Sequence, residues 1–502
     1  MGTGPVAVNI VPTTMVGRVA SAAMSHDLAY LSATEALARF RDRSLSPVEL
    51  TEALIARAAE VEPTVNALCI TYYDRALEQA REAERRYQGT GDAPRPLEGI
   101  CVGIKDEMPI AGQSCSMGSL RYKDDMPDST DPVGQRLIDA GAILHARTTA
   151  PEFSCAGFTH SRLWGVTRNP WNPEFGVGGS SGGTGASLAS GTSTLATGSD
   201  IGGSIRIPAA WNGVVGFKPP YGRVPQSPPF NLDHYCHTGP LARTVSDCAL
   251  FENVIAGPHP HDPVALAPKL TLPLTFDDGI EGLRVALCVT PGGWPVDDDV
   301  AANTRQAAAA LVDAGAIVEE IEMGPNWGLA NITRLALIHF GAIFGAWIAT
   351  ELEHRELMTP YAIDMAERSL AAIAETSFYE GLVGEGELHF ELGDIHERYG
   401  LLVVPTCASR GLIAGDDYVD HGLEVGGEMQ EWYMAACMTA HFNVCSRSPV
   451  MAVPSGFADN DVPTGVQLVA RPYDDLTAFR AAAALERTRP WANRRPMIGG
   501  SA

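Results

Sequence analysis

The sequence has no CxxC pair, no surplus of basic residues and no apolar run long enough to cross a bilayer. Each absence closes a class of function. Ten cysteines are scattered from Cys69 to Cys445, several inside apolar runs such as "RVALCVT", so they read as buried reduced thiols, not as a disulfide or zinc framework. A reducing, cytoplasmic setting is therefore the expectation. Lys and Arg number 36 against 60 Asp and Glu, a formal net charge of −24, which disfavours nucleic acid and anionic membranes as partners. The longest apolar run, "LALIHFGAIFGAWIA" at Leu335–Ala349, falls short of the roughly 20 residues of a span and contains His339. It is expected to be a buried helix bordering a pocket. Met1–Ala23 lacks the basic start of a signal peptide. His259 and His261 in "GPHPHDP" have no matching ligand cluster, so neither a metal nor a cofactor is expected.

What is present is a chain of 502 residues, 45% hydrophobic and 19% charged, the balance of a globular enzyme acting on small molecules. Short apolar runs with β character ("ICVGIK", "AILHART", "VVGFK", "GLRVALCV", "LLVVPT") alternate with helical stretches such as "DPVGQRLIDAGA" and "TVSDCALFENVIA". The expected fold is α/β: a single large domain with a mixed central sheet flanked by helices. Residues 1–24 read as a loosely held extension, 25–491 as the domain and 492–502 as a tail. A helical lid or pocket insertion is expected at about 327–387, and an excursion at Pro258–Pro273. "SPVE" at Ser46–Glu49 reads as a helix start, with Ser46 as cap and Pro47 first in the helix.

Two glycine-serine clusters stand close together, "GGSSGGTGASLASG" at Gly178–Gly191 and "GSDIGGSIRIPAA" at Gly198–Ala210. Such composition usually marks a flexible linker. Linkers, however, do not enclose core-like sequence: Thr184–Ser190 is helix-compatible, and Thr192–Thr197 reads as a buried strand. That order brings two serine-bearing turns to one end of a sheet, where free N–H groups can bind a ligand. The first cluster lacks the Gly-Lys-Ser/Thr ending of a phosphate loop. In "SDIGGSIR" the N–H groups of Ile201, Gly202, Gly203 and Ser204 can converge on one oxygen, as an oxyanion hole requires. Ser204 beside them is the candidate nucleophile.

A serine hydroxyl needs a base, and neither cluster contains a histidine. Ser180 or Ser181 can relay a proton but cannot finally keep it. Upstream, "CVGIKDEMPIAG" ends a predicted buried strand with Lys105, a position lysine avoids unless it is used. Bringing a lysine from about 10.4 to near 7 takes about 4–5 kcal/mol, mostly of desolvation. Asp106 faces the opposite side of the strand. Glu107 would share the face of Lys105 if the strand continued, so the strand is expected to end near Asp106.

Together these segments resemble the amidase signature family of Ser-Ser-Lys hydrolases. The resemblance rests on "GIKD" at Gly103–Asp106, "GGSSGG" at Gly178–Gly183 and "GSDIGGSIRIPA" at Gly198–Ala209, with "TRNPWN", "GVVGFKPPYGRV", "GPLARTVSDCALFENVIAG" and "PTGVQLVARPYDDLTAFRAAAALE" in the same order. It implies that Ser204 is the acyl nucleophile, Ser180 the bridging serine after a cis Gly179–Ser180 peptide, and Lys105 the base. Ser181 becomes a local helper, while Asp200 and Arg206 brace the loop. Three places depart from the family pattern: Ser199 replaces a threonine, Glu107 and Met108 replace an asparagine and an aliphatic residue, and "NLDHYCHTGP" is a longer loop.

The activity so implied is hydrolysis of C–N acyl bonds. The family includes aryl acylamidases and carbamate-cleaving urethanases, and an apolar wall fits both. Phe340, Phe344 and Trp347 are spaced to share a helical face, with Phe153, Phe158 and Trp164 as candidates for the opposite wall. Two other readings stand beside it: a glutamine-hydrolysing component of a tRNA amidotransferase, and a non-catalytic binding protein on the same fold. The expected partner is a small-molecule amide or carbamate, with the chain a monomer or homodimer.

Overall fold

Eleven strands form one sheet. They are β1 (Leu68–Thr71), β2 (Cys101–Lys105), β3 (Ile143–Thr148), β4 (Leu195–Asp200), β5 (Val215–Lys218), β6 (His237–Ala242), β7 (Arg284–Leu287), β8 (Ile317–Glu320), β9 (Leu401–Pro405), β10 (Val450–Phe457) and β11 (Pro463–Ala470). The order across the sheet is β1-β3-β2-β4-β6-β5-β10-β11-β9-β7-β8. The pairs β3–β2, β2–β4, β9–β7 and β7–β8 are parallel and the others antiparallel, so the sheet is mixed, as expected. The computed structural model describes residues 27–498. The extension expected at 1–24 lies outside them, as do residues 499–502 of the tail.

Burial on both faces explains the strand sequences. Along β9, Leu401 and Val403 enter one apolar cluster while Leu402 and Val404 enter another. Alternate residues of a strand point to opposite faces, so a strand covered on both sides must be apolar throughout. Helix α1 (Pro47–Val65) starts as its sequence dictates: Ser46 accepts from Val48 N at 3.0 Å, and Glu49 accepts from Ser46 N at 2.8 Å. Helices Asp298–Asp313 and Asp475–Thr488 lie against β10 and β11.

Two elements differ from expectation. The strand expected at Thr192–Thr197 begins at Leu195 and runs to Asp200, because Gly198 and Ser199 continue the ladder with β6 instead of turning. The apolar run at Leu335–Ala349 is not one helix. It breaks at Ile343 (φ −130°, ψ −79°), and the segments on either side are bent by 53°. No single helix is long and apolar enough to cross a membrane among the described residues.

The first glycine cluster is solid core. Its helix α2 (Gly182–Ala189) is buried at every residue, and its first turn packs on the end of β3, with Gly183 N donating to Thr149 O at 3.1 Å. A Cβ on Gly183 would lie 2.4 Å from Thr149 N and 2.6 Å from Ala67 O. Both are backbone atoms that cannot step aside, so glycine sets the approach of helix to sheet. Gly183→Ala should therefore destabilise the protein by about 1–3 kcal/mol, although alanine is favoured over glycine in a helix by about 1 kcal/mol. Urea unfolding checks this through the midpoint, and an equal or higher midpoint would refute the packing account.

Candidate active site

The site forms where β2 and β4 end side by side. Lys105 closes β2, almost fully buried, and its N–H donates to Thr197 Oγ1 at 3.0 Å. Its Nζ lies 2.7 Å from Ser180 Oγ and 2.8 Å from Ser199 Oγ. The third neighbour was not expected. The strand ends at Lys105, but a tight turn, with Glu107 N and Met108 N both donating to Lys105 O, returns the Glu107 carboxylate to 3.1 Å from Nζ. Ending the strand does not remove Glu107 from the lysine; the turn brings it back. Asp106 does face away, into Ser116 and the Trp164 indole, whose Nε1 donates to Asp106 Oδ2 at 3.1 Å.

Burial pushes the Lys105 ammonium below the ordinary lysine range, and the Glu107 carboxylate opposes that shift. For Glu107 burial is the largest single effect and acts upward, but the Lys105 charge together with hydrogen bonds from Ser154, Ser199 and Lys105 outweighs it, and the carboxyl lies below its usual range.

Ser180 follows a cis Gly179–Ser180 peptide, and Ser181 N donates to Ser204 O at 3.2 Å, which ties the two serine turns together. Ser181 Oγ stays local, 3.3 Å from Ser199 O. Of the four expected oxyanion donors, Gly203 must be withdrawn, because its N–H donates to Asp200 Oδ1 at 2.8 Å. The N–H groups of Ile201, Gly202 and Ser204 donate to no group among the described residues. Gly203 has φ +131°, and a Cβ there would lie 1.9 Å from Thr439 Oγ1, so only glycine fits. The Thr439 hydroxyl in turn holds Gly202 O at 2.5 Å.

Asp200 and Arg206 form a fully buried two-point pair, Nε to Oδ2 at 2.9 Å and Nη2 to Oδ1 at 2.8 Å. Burial alone would raise the Asp200 carboxyl; the Arg206 guanidinium overrides this and holds it well below the carboxylate range. The remaining Arg206 donors reach Thr439 O, Gln467 Oε1 and Asn443 Oδ1. Thr439 lies just before, and Asn443 within, the one-turn helix His441–Val444, too short to leave a helical period in the sequence that would have found them.

Above Ser204 opens a narrow cleft. Phe340 and Phe344 line it as expected, joined by Ile201, Ile207, Met365, Tyr433 and Met434. The other four expected wall residues do not line it. Trp164 turns to Asp106, and Phe158 packs behind the wall on Tyr361 and Tyr433. Phe153 packs on Trp347 (ring centroids 5.5 Å apart), forming a layer behind Phe344. Since the helix breaks at Ile343, Phe344 and Trp347 sit on a separate short helix from Phe340.

The Phe340 helix (α3, Leu329–Ala342) is fixed by its neighbour His339, which is fully buried. His339 Nε2 lies 2.7 Å from Asp233 Oδ1, and its ring stacks on Tyr235 at 3.6 Å. Tyr235 donates to Glu385 at 2.9 Å, on the helix α4 (Phe378–Arg398). Asp233 and Tyr235 come from the long "NLDHYCHTGP" loop, so this loop does shape the cleft. Burial opposes a charge on His339, but Asp233 and Glu385 outweigh it and raise its pKa. Asp233, His234 and His339 are the one cluster of potential metal ligands among the described residues, while His259 and His261 pack on each other in a loop.

Residues 49–478 match the family model described as Amidase. An acylamidase of Rhodococcus erythropolis is 33% identical over 477 residues, covering 94% of this chain and 98% of the relative. A glutamyl-tRNA(Gln) amidotransferase subunit of Thermosynechococcus vestitus is 31% identical, covering 90% and 97%. A bacterial aryl acylamidase of the amidase signature family superposes with a TM-score of 0.86 at 28% identity, over 95% of this chain and all of that one. This chain belongs to the amidase signature family and is an amidohydrolase of that family.

Proposed function

We propose that this enzyme hydrolyses aryl amides and N-aryl carbamates through an acyl-enzyme on Ser204. One observation carries the substrate class: no charged side chain lines the cleft above Ser204. Glutamine would bring an ammonium and a carboxylate there, and burying unpaired charge is costly. An aryl group finds Phe340, Phe344 and Tyr433 instead. The acylamidase and aryl acylamidase relatives support the same reading.

The proton path runs from Ser204 through Ser180 to Lys105. The Ser204 O–H proton passes to Ser180 Oγ as the Ser180 proton passes to a neutral Lys105 Nζ. The Ser204 oxygen bonds to the carbonyl carbon, and the oxyanion accepts from the amides of Ile201, Gly202 and Ser204. Collapse breaks the C–N bond, and the proton returns through Ser180 to the departing amine. Water then attacks the acyl-enzyme along the same path; from a carbamate that acyl-enzyme is an alkoxycarbonyl ester, whose hydrolysis frees Ser204 and gives a monoalkyl carbonate that breaks down to the alcohol and carbon dioxide.

A glutamine-hydrolysing component of an amidotransferase is the second reading, favoured by the amidotransferase relatives. It is opposed by the uncharged cleft and by the net charge of −24, unsuited to a tRNA complex. Comparison of kcat/KM for nitroanilides, N-aryl carbamates, acetamide and glutamine separates the two. The aryl substrates should lead; a tenfold preference for glutamine or acetamide, about 1.4 kcal/mol in transition-state binding, would reverse the assignment.

For the triad, Ser204→Ala should abolish both turnover and labelling by a fluorophosphonate probe. Ser180→Ala and Lys105→Ala should each lower kcat/KM by several orders of magnitude with the thermal midpoint retained. Near wild-type turnover in any of the three removes that residue from the path.

A further inference from the structure

Lys105 Nζ has three acceptors at hydrogen-bond distance: Ser180 Oγ at 2.7 Å, Ser199 Oγ at 2.8 Å and Glu107 Oε2 at 3.1 Å. A neutral amine has two N–H groups and one lone pair. For Lys105 to take a proton from Ser180, the lone pair must point at Ser180, and both N–H groups must go elsewhere. Ser199 and Glu107 are the two places they can go. An ionised carboxylate only accepts, so Glu107 can never compete with Ser180 as a donor to the lone pair. We propose that Glu107 is a positioning residue of the proton path, which aims the Lys105 lone pair at Ser180 and stabilises the ammonium that forms there, and so sets the pH at which the enzyme becomes competent. This rests on the triad reading given above.

The surroundings make Glu107 the charge that matters most at Nζ. Asp200, at the end of β4, also acts on Lys105, but its carboxylate is committed to Arg206. The Cys236 thiol faces the site from the segment before β6, and burial raises its pKa well above the thiol range, which keeps it neutral. From β3, Arg147 binds the turn itself, donating to Met108 O at 2.6 Å and reaching Lys105 O at 3.4 Å, and so holds Glu107 in place. Asp106 points the other way. The Ser154 hydroxyl, buried and without another partner, faces the Glu107 carboxylate from the cleft wall.

The sign follows from the charge. A carboxylate beside Nζ favours the ammonium, so it raises the pH above which Lys105 is neutral, and activity rises through that pH. Glu107→Gln keeps an acceptor oxygen for the N–H but removes the charge. The acid limb of kcat/KM, measured with a nitroanilide, should move to lower pH by about 1–3 units, and the plateau should fall several-fold because the base is weaker. Glu107→Ala removes both charge and acceptor and should lower the plateau much further at the same limb position as Glu107→Gln. Fluorophosphonate labelling of Ser204 should show the same shift.

A structural role alone would lower the rate at every pH and leave the acid limb in place, and that result overturns the proposal. Thermal melting establishes folding; if Glu107→Gln does not fold, Glu107→Asp, which keeps the charge one methylene further back, should show a smaller shift in the same direction, and an unmoved limb there is equally fatal. The two failures are distinguishable. Active Lys105→Ala enzyme defeats the triad itself, whereas inactive Lys105→Ala enzyme with an unmoved limb in Glu107→Gln defeats only the role of Glu107.

Discussion

The Asp200–Arg206 pair is the interaction on which the rest of the site depends. Its two side chains are wholly excluded from solvent. All five Arg206 N–H donors are used, on Asp200, Thr439, Gln467 and Asn443. Asp200 in return accepts from Gly203 N, Ile205 N and Asn443 Nδ2. Buried ion pairs contribute little net stability, because desolvation offsets attraction. What this one fixes is register. It ties the end of β4 to Gln467 on β11 and to the Thr439 segment that presses on Gly203. The loop between Asp200 and Arg206 cannot then rotate, and its free amides keep their direction before any substrate arrives.

That rigidity matters because the lysine beside it is finely balanced. Placing a charge in the interior costs several kcal/mol. A carboxylate at 3.1 Å from Nζ returns about 5 kcal/mol at an effective dielectric constant of about 20. The two effects oppose each other and burial prevails, so the ammonium stays below the ordinary lysine range. A displacement of the carboxylate by one ångström, or a water admitted between the groups, changes the balance by about 1 kcal/mol, close to one pKa unit. On the proposed proton path, the tight turn after β2 and the Arg147 contacts to it would thus belong to the chemistry, since they hold that distance.

Much of this was legible in the amino-acid sequence. The alternating apolar runs gave the mixed sheet, since a strand buried on both faces leaves a continuous apolar signature. The serine clusters pointed to one end of it, because glycines that permit close packing cannot be mistaken for a linker once core sequence lies between them. The misses have local causes. Whether Glu107 faces Lys105 depends on a turn, and strand alternation says nothing beyond the last residue of the strand. Gly203 looked free because the reach of Asp200 back to its own loop is a three-residue contact with no signature. The four misplaced aromatic residues share one cause: apolar spacing identifies a buried face but does not distinguish a cavity wall from the layer behind it, and the break at Ile343 leaves no proline or glycine at the bend itself.

The wall that does line the cleft is held before substrate binds. Phe340 lies directly over the loop, its ring tip 3.4 Å from where a Cβ of Gly202 would stand. The next residue back, His339, is clamped to Asp233 and Tyr235, and Glu385 joins the same group. A helix fixed by a buried charged network cannot collapse onto the cleft or swing out of it without breaking hydrogen bonds that no water replaces. Burying one aromatic ring against such a wall is worth about 1.5–3 kcal/mol, and that sum is not reduced by ordering the wall at the moment of binding. The selectivity for bulky acyl or amine groups proposed above would then rest on the clamp as much as on the aromatic side chains: a soft wall of the same composition would fold in around a small substrate and discriminate less.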